Sequence, residues 1–154
     1  LGPGDVDGSS TTDVADFLAG RMPAAARGGV NFVDVRDAAL AFVAAADRGE
    51  PGVRHLLGAT NLTIREMLDQ LAALSGQPAP RWSPPAWLQV ALARAASLGA
   101  RAVGRRPAVD PETAAMGQLF WYAQGNRATQ TLGFEPRSPT ETLRDTIADL
   151  RSRL

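Results

Sequence analysis

The feature that most constrains this chain is a β-branched and aromatic run, Val30, Phe32, Val33 and Val35, set off by Gly28-Gly29 and followed directly by an alanine-rich stretch. The run reads as a buried strand. It feeds straight into a helix near Asp37, which Ala38 to Ala46 continue with Leu40, Phe42 and Val43 as far as Gly49 before a turn at Pro51-Gly52. A strand that becomes a helix without an intervening loop points to a mixed α/β architecture.

The rest of the chain reads as mostly helical. Ser9 to Thr12 precede Asp13, Val14, Asp16, Phe17 and Leu18, a capped start with apolar residues three and four apart, so a short helix is expected over 11–20 with Gly20 as its stop. Val53, His55, Leu56 and Leu57 suggest a second short strand. Thr63-Ile64-Arg65-Glu66 is a capping box, in which hydroxyl and carboxylate each satisfy an unpaired helix N–H, and Leu62 and Met67 stand where a hydrophobic staple would. Met67, Leu68, Leu71 and Leu74 then form one buried face that Gly76 and Pro78 close. Pro78, Pro80, Pro84 and Pro85 make 77–85 a stiff connector.

Trp87 to Val103 is apolar nearly all round, yet too short and too charged to read as a membrane span. Asp110-Pro111 starts a helix expected to reach about Tyr122. Asn126 caps a short helix that Gly133 closes, and Ser138-Pro139-Thr140-Glu141 is a second capping box before a terminal helix with the inner stripe Leu143, Ile147, Leu150 and Leu154. There is no internal repeat, low-complexity tract or linker, so 1–154 reads as a single unit.

Composition removes several chemistries. All sixteen basic residues are Arg, so the chain offers no lysine base, Schiff-base lysine or phosphate-loop lysine. Sixteen acids balance them, and bulk charge directs the protein to neither nucleic acid nor an anionic membrane. Without Cys there is neither a disulfide framework nor a thiolate metal site, and His55, the one histidine, makes no metal site or triad alone. The 45% hydrophobic and 21% charged residues match a soluble globular protein of a size that buries a real core. The chain opens on Leu1 and a Gly-Pro-Gly-Asp loop in place of a leader peptide, and this start reads as a cut edge.

Four local patterns, in order, are similar to one family, the extended short-chain dehydrogenase/reductases of epimerase, dehydratase and dihydroflavonol-reductase-like type. Leu1-Gly2-Pro3-Gly4-Asp5 resembles the loop after the sixth strand of that family's Rossmann sheet, and Asn31 to Ala39, Asn-Phe-Val-Asp-Val-Arg-Asp-Ala-Ala, resembles its strand-to-helix segment in the dihydroflavonol-reductase-like form. Gly52 to Gly58 with Asn61-Leu62-Thr63 resembles the second-domain strand and capped helix, and Leu132-Gly133-Phe134-Glu135-Pro136-Arg137 resembles the signature before the last helix. The resemblance implies an α/β fold of which this chain is the helix-rich, C-terminal substrate-binding portion with a few short strands. The Rossmann cofactor domain, and with it the glycine-rich fingerprint, would precede Leu1.

By the same resemblance the complete enzyme uses NAD or NADP, works in the cytoplasm and transfers hydride at a hydroxyl or carbonyl carbon. Leu1, Gly2, Pro3 and Gly4 would lie under the nicotinamide, while Ser9, Ser10, Met22, Pro23 and Ala24 would wall a pocket for a small-molecule substrate. Ser9 and Ser10 also read simply as helix-capping residues. The family's tyrosine and the lysine four residues later are missing, because Tyr122 is the only tyrosine and Asn126 follows it, so no catalytic residue is assigned and the chain alone binds no cofactor. Gly2, Gly4 and Gly8 mimic a spaced-glycine pattern, but only Leu1 precedes them and Pro3 interrupts it. Val30 stands where the sugar-nucleotide epimerases carry a diphosphate-binding Arg and Asp34 where a His is common, which argues against a nucleotide-sugar substrate unless Arg21, Arg27 or Arg105 supplies the charge.

The remaining candidates have plainer readings. Asp37 reads as a helix cap and Asp34 as a polar strand position rather than an acid/base pair. His55 reads as a structural histidine, and Trp82, Trp87, Trp121 and Tyr122 read as core rather than an aromatic pocket. Arg101, Arg105 and Arg106 after an apolar segment could lay a helix on an anionic membrane, against the alternative of a buried helix with a solvated arginine end. The rival to an enzyme portion is a catalytically dead protein-binding or scaffold module, which with an uncovered apolar face would self-associate.

Overall fold

The computed structural model describes residues 1–6, 8–102, 104 and 111–153. The element order is α1 (Ser9–Leu18), β1 (Gly29–Phe32), α2 (Val35–Arg48), β2 (Thr60–Thr63), α3 (Ile64–Ser75), α4 (Ala86–Ala102), α5 (Pro111–Met116), β3 (Phe120–Trp121), α6 (Asn126–Leu132) and α7 (Pro139–Ser152). It is a helix-rich α/β fold around one small sheet.

That sheet has the order β2-β1-β3, with β1 antiparallel to β2 in the register Gly29↔Thr63 to Phe32↔Thr60, and parallel to β3 at Gly29↔Phe120 and Val30↔Trp121. The double glycine is a requirement of this packing. A Cβ on Gly28 would lie 2.2 Å from the Leu119 carbonyl oxygen, and one on Gly29 would lie 2.4 Å from Tyr122 Cε1. Side chains here would push β3 off β1.

The second strand is not the expected one. Residues 53–57 form no ladder, and the pairing falls on 60–63, because Asn61 opposite Asn31 supplies polar cross-strand bonds that an apolar run does not. Asn31 Nδ2 donates to Asn61 Oδ1 at 2.7 Å, and Asn61 in turn donates to the Ala123 carbonyl and accepts the Ala123 N–H. Two asparagines thereby join β1 and β2 to the segment just after β3.

The core lies between α1, β1, α3 and α7, where Val14, Phe17, Phe32, Met67, Leu68, Leu71, Leu143 and Ile147 are buried and Leu62, Leu74 and Leu150 pack against them. A smaller cluster of Ala41, Ala128 and Phe134 joins α2 to α6. α3 has the full reciprocal Thr63–Glu66 box and a left-handed Gly76 at φ +79°, as the sequence predicts. At α7 the Ser138 hydroxyl accepts the Glu141 N–H, and only this half of the expected box is present. Leu154 lies outside the described residues.

Several element ends differ from expectation for local reasons. α1 starts at Ser9 with Gly8 as its N-cap, and the carboxylate of Asp5 accepts the Gly8 N–H and the Thr11 hydroxyl, so the cap is supplied from before the helix. α5 stops at Met116 because the Gly117 and Leu119 carbonyls accept the Gly28 and Gly29 N–H groups; Asp110 lies outside the described residues. Asn126 is the first residue of α6 rather than its cap, a place taken by Gly125 with no side-chain bond.

The aromatic residues read as core are not core. Trp82, Trp87, Trp121 and Tyr122 are all exposed, with Tyr122 edge-on to Phe120 at 5.3 Å. α4 is likewise not a buried helix, since only Ala93 and Ser97 on it are buried. No helix among the described residues is long and apolar enough to cross a membrane.

Candidate functional site

β1 does not end its pairing at Phe32. The Leu1 nitrogen donates to the Val33 carbonyl at 3.2 Å and the Val35 N–H donates to the Leu1 carbonyl at 2.7 Å, the bond pattern of a parallel bridge between Leu1 and Asp34. This bridge seats the Leu1–Gly4 loop against the start of α2. Gly2, at φ +130°, lies so close that a Cβ would meet Val35 Cγ1 at 2.9 Å and Asp34 Oδ1 at 3.0 Å, and Gly4 is also left-handed at φ +86°. The missing side chain at Gly2 makes room for Val35 and Asp34, and Gly4 supplies a turn that other residues rarely adopt.

Beneath the loop lies a charged network. Asp34, 2% exposed, is the N-cap of α2 and accepts the Arg36 N–H at 2.9 Å, and the Arg36 guanidinium grips both its oxygens before reaching Asp145 at 2.8 Å. Asp37, also buried, accepts the backbone N–H of Arg137 at 2.9 Å and its guanidinium at 2.7 Å. Both expected roles change: Asp34, expected as a polar strand position, is the cap, and Asp37, expected as the cap, is an inward anchor for the segment before α7. Burial pushes the Asp34 carboxyl up, but the Arg36 side chain and N–H, Thr142 and the charge of Arg137 outweigh it and hold the pKa at about 2. A carboxylate held ionised by two arginines is a structural fixture, unsuited to exchanging protons near neutrality.

The proposed site residues fall into two groups. Leu1, Gly2, Pro3 and Gly4 share the loop, tied to α7 by the Gly4 N–H on Asp149, and Ser10 is exposed on the first turn of α1, which Ser9 opens. Met22 and Pro23 come after the other end of α1, a ten-residue helix about 15 Å long. There Met22 lines a cavity of about 390 Å³ with Phe17, Gly20, Gln77, Pro78, Ala79, Pro80 and Arg81, while Pro23 is exposed. That the proline connector walls the same space as Met22 has no local sequence signal; Arg27 and Arg65 side chains, which donate to Ser83 and Pro80, pin it there.

Arg21 pairs with Asp16 and Arg27 is spent on the Ser83 carbonyl, while Arg105 and Arg106 lie outside the described residues. His55 is half-buried in the irregular segment before β2. Among the described residues no group of acidic, histidine or cysteine side chains could hold a metal.

With this geometry in view, similarity to known proteins can be placed. No protein-family model matches the chain. It is 31% identical over 152 residues to a dihydroflavonol 4-reductase-like protein of Synechocystis, covering 96% of this chain and 44% of that one. It is 30% identical over 142 residues to sterol demethylase protein B of Methylococcus capsulatus, covering 91% and 43%. The fold matches a nucleoside-diphosphate-sugar epimerase of Pseudomonas aeruginosa with a TM-score of 0.75 at 26% identity, covering 99% of this chain and 45% of that one. Other structures sharing the fold were solved with NADPH or NAD.

Strand-to-helix bridge, capped α3 and extended similarity together fit the C-terminal part of an extended short-chain dehydrogenase/reductase. Within it the chain is similar to the dihydroflavonol-reductase-like branch. It spans under half the length of the curated relatives it matches.

Proposed function

We propose that this chain is the substrate-side portion of an NAD(P)-dependent oxidoreductase or epimerase of the cytoplasm. The observation that carries this reading is the Leu1–Asp34 bridge, which holds the left-handed Gly2–Gly4 loop at the end of β1. When bound, the dinucleotide supplies or accepts hydride at a hydroxyl or carbonyl carbon of the substrate. The residues of this chain contribute surface: Leu1, Gly2, Pro3 and Gly4 beneath the nicotinamide, and Ser9, Ser10, Met22 and Pro23 toward the substrate.

Acid/base chemistry comes from elsewhere, since no lysine exists here and Tyr122 is committed to packing over Gly29. The 154 residues act as one unit that is inactive alone. Val30 and Asp34 at the two diagnostic positions, with Arg21 and Arg27 already engaged, argue against a nucleotide-diphosphate substrate unless Arg105 supplies the charge. The test is to join the chain to a Rossmann half carrying a glycine-rich turn and a Tyr-x-x-x-Lys pair and to titrate NADH and NADPH by fluorescence. Binding to the joined protein and not to the chain alone is expected; no binding by the joined protein refutes the assignment.

A second reading has its own support. On α2, Val35, Leu40, Phe42 and Val43 are all exposed, with Phe42 at 73%, an apolar face that some protein surface would cover. In the first reading that cover is the cofactor half. In a scaffold module it is a protein partner or a second copy, and light scattering showing concentration-dependent mass only in the absence of the cofactor half would favour the first.

A further inference from the structure

α4 is built inside out. Its inward side carries polar groups: Gln89 donates to the Ala25 and Pro84 carbonyls and accepts from Gln118, and the buried Ser97 hydroxyl has no partner among the described residues. Its outward side is apolar. At 3.6 residues per turn, Trp87, Ala91, Leu98 and Ala102 fall within roughly 60° of one another, and Trp87 and Leu98 are 71% and 68% exposed. The only charges on the helix are Arg94 and Arg101, on one flank of this arc, and no acid lies anywhere in 86–102. Alongside, α5 and the segment that follows it expose Met116 and Leu119.

Three kinds of medium could cover such a face. A protein partner normally offers about one hydrogen bond per 100–200 Å² of interface, and apart from the Trp87 indole N–H and the flanking guanidinium groups this arc offers none. A second copy would set the same two arginines against themselves. An anionic bilayer surface satisfies every feature: it accepts tryptophan and leucine into the acyl boundary, requires no hydrogen bonds from the apolar arc, and attracts the flanking guanidinium groups. The 17-residue length suits a helix lying in the interface plane and not one crossing it.

We propose that the outward face of α4 is a peripheral docking surface for an anionic lipid bilayer, seated by Trp87 and Leu98 and oriented by Arg94 and Arg101. This does not rest on the cofactor assignment, and it places the protein at a membrane without spanning it.

The test is co-sedimentation of the protein with phosphatidylcholine vesicles, with and without phosphatidylglycerol, at low and high salt. Binding to the anionic vesicles that weakens with salt is expected. A Trp87→Glu/Leu98→Glu variant should bind at least about tenfold less, since it removes the burial of two large apolar side chains. Arg94→Gln and Arg101→Gln should each weaken low-salt binding by about fivefold. Unchanged circular dichroism and thermal midpoint show that these variants fold. As an independent measure, in a Trp82→Phe/Trp121→Phe protein the remaining Trp87 should be quenched by brominated lipid. Absence of sedimentation at every salt concentration overturns the proposal, as does binding indifferent to Trp87 and Leu98. A dimer that Trp87→Glu dissolves, without vesicle binding, also overturns it and assigns the face to a second copy.

Discussion

α3 and α4 are both apolar helices, and they face opposite ways. α3 turns Met67, Leu68 and Leu71 into the core and leaves Glu66 and Asp69 in water, whereas α4 turns Gln89 and Ser97 inward and leaves Trp87 and Leu98 outside. The lesson is that apolar content says a helix must leave water, while the positions of its polar residues say on which side. On α3 they are exposed and the core is inside. On α4 the uncharged ones, Gln89 and Ser97, are inside, Arg94 and Arg101 flank the exposed arc, and the apolar medium belongs outside.

The contrast can be broken by truncating equivalent leucines. Leu71→Ala removes a side chain with no exposure and should lower unfolding free energy by about 3 kcal/mol in urea titrations. The inward polar groups give the next test, for Asp34 is satisfied and Ser97 is not. Because the folded pKa of Asp34 is depressed from 3.8 to about 2, its contribution is complete above pH 3.8 and is lost as pH falls through the folded value. The size of that loss is about 2 kcal/mol, readable as a drop in thermal midpoint between pH 4 and 2 that is absent in Asp34→Asn. Ser97→Ala deletes a buried hydroxyl without a partner among the described residues and should raise stability by up to about 1 kcal/mol by calorimetry. Smallest is Leu98→Ala, which in the absence of lipid should stay within about 0.5 kcal/mol of the parent, the usual range for an exposed position.

The same contrast marks how much was legible beforehand. α3 and the close of α6 at Gly133 follow from signals within four residues of each end, which is why the Thr63 box and the left-handed Gly76 were readable. β3 was not, because its pairing partner lies about ninety residues away and nothing in Gly117 to Tyr122 interrupts a helical pattern locally. β2 was displaced for a related reason: apolar content favoured 53–57, but the asparagine pair across 31 and 61 decided the register. At the candidate site, the bonds of Leu1 to Val33 and Val35 and the parts taken by Asp34 and Asp37 needed coordinates. Asp34 and Asp37 are three residues apart and both follow the strand, so only the position of Arg137, a hundred residues on, tells cap from anchor.

The stretch from Gly29 to Val35 is gauged at both of its ends. β2 and β3 fix its first residues, and Leu1 fixes its last by backbone bonds on either side of Asp34. Because side chains alternate with a period of two, one residue added or removed here would turn Phe32 out of the core or slide Asp34 away from its arginines. The positions after Gly29 thus tolerate exchange of side chains of similar shape, but the number of residues is fixed: this is the part of the chain in which natural variation should appear as substitution and never as insertion or deletion.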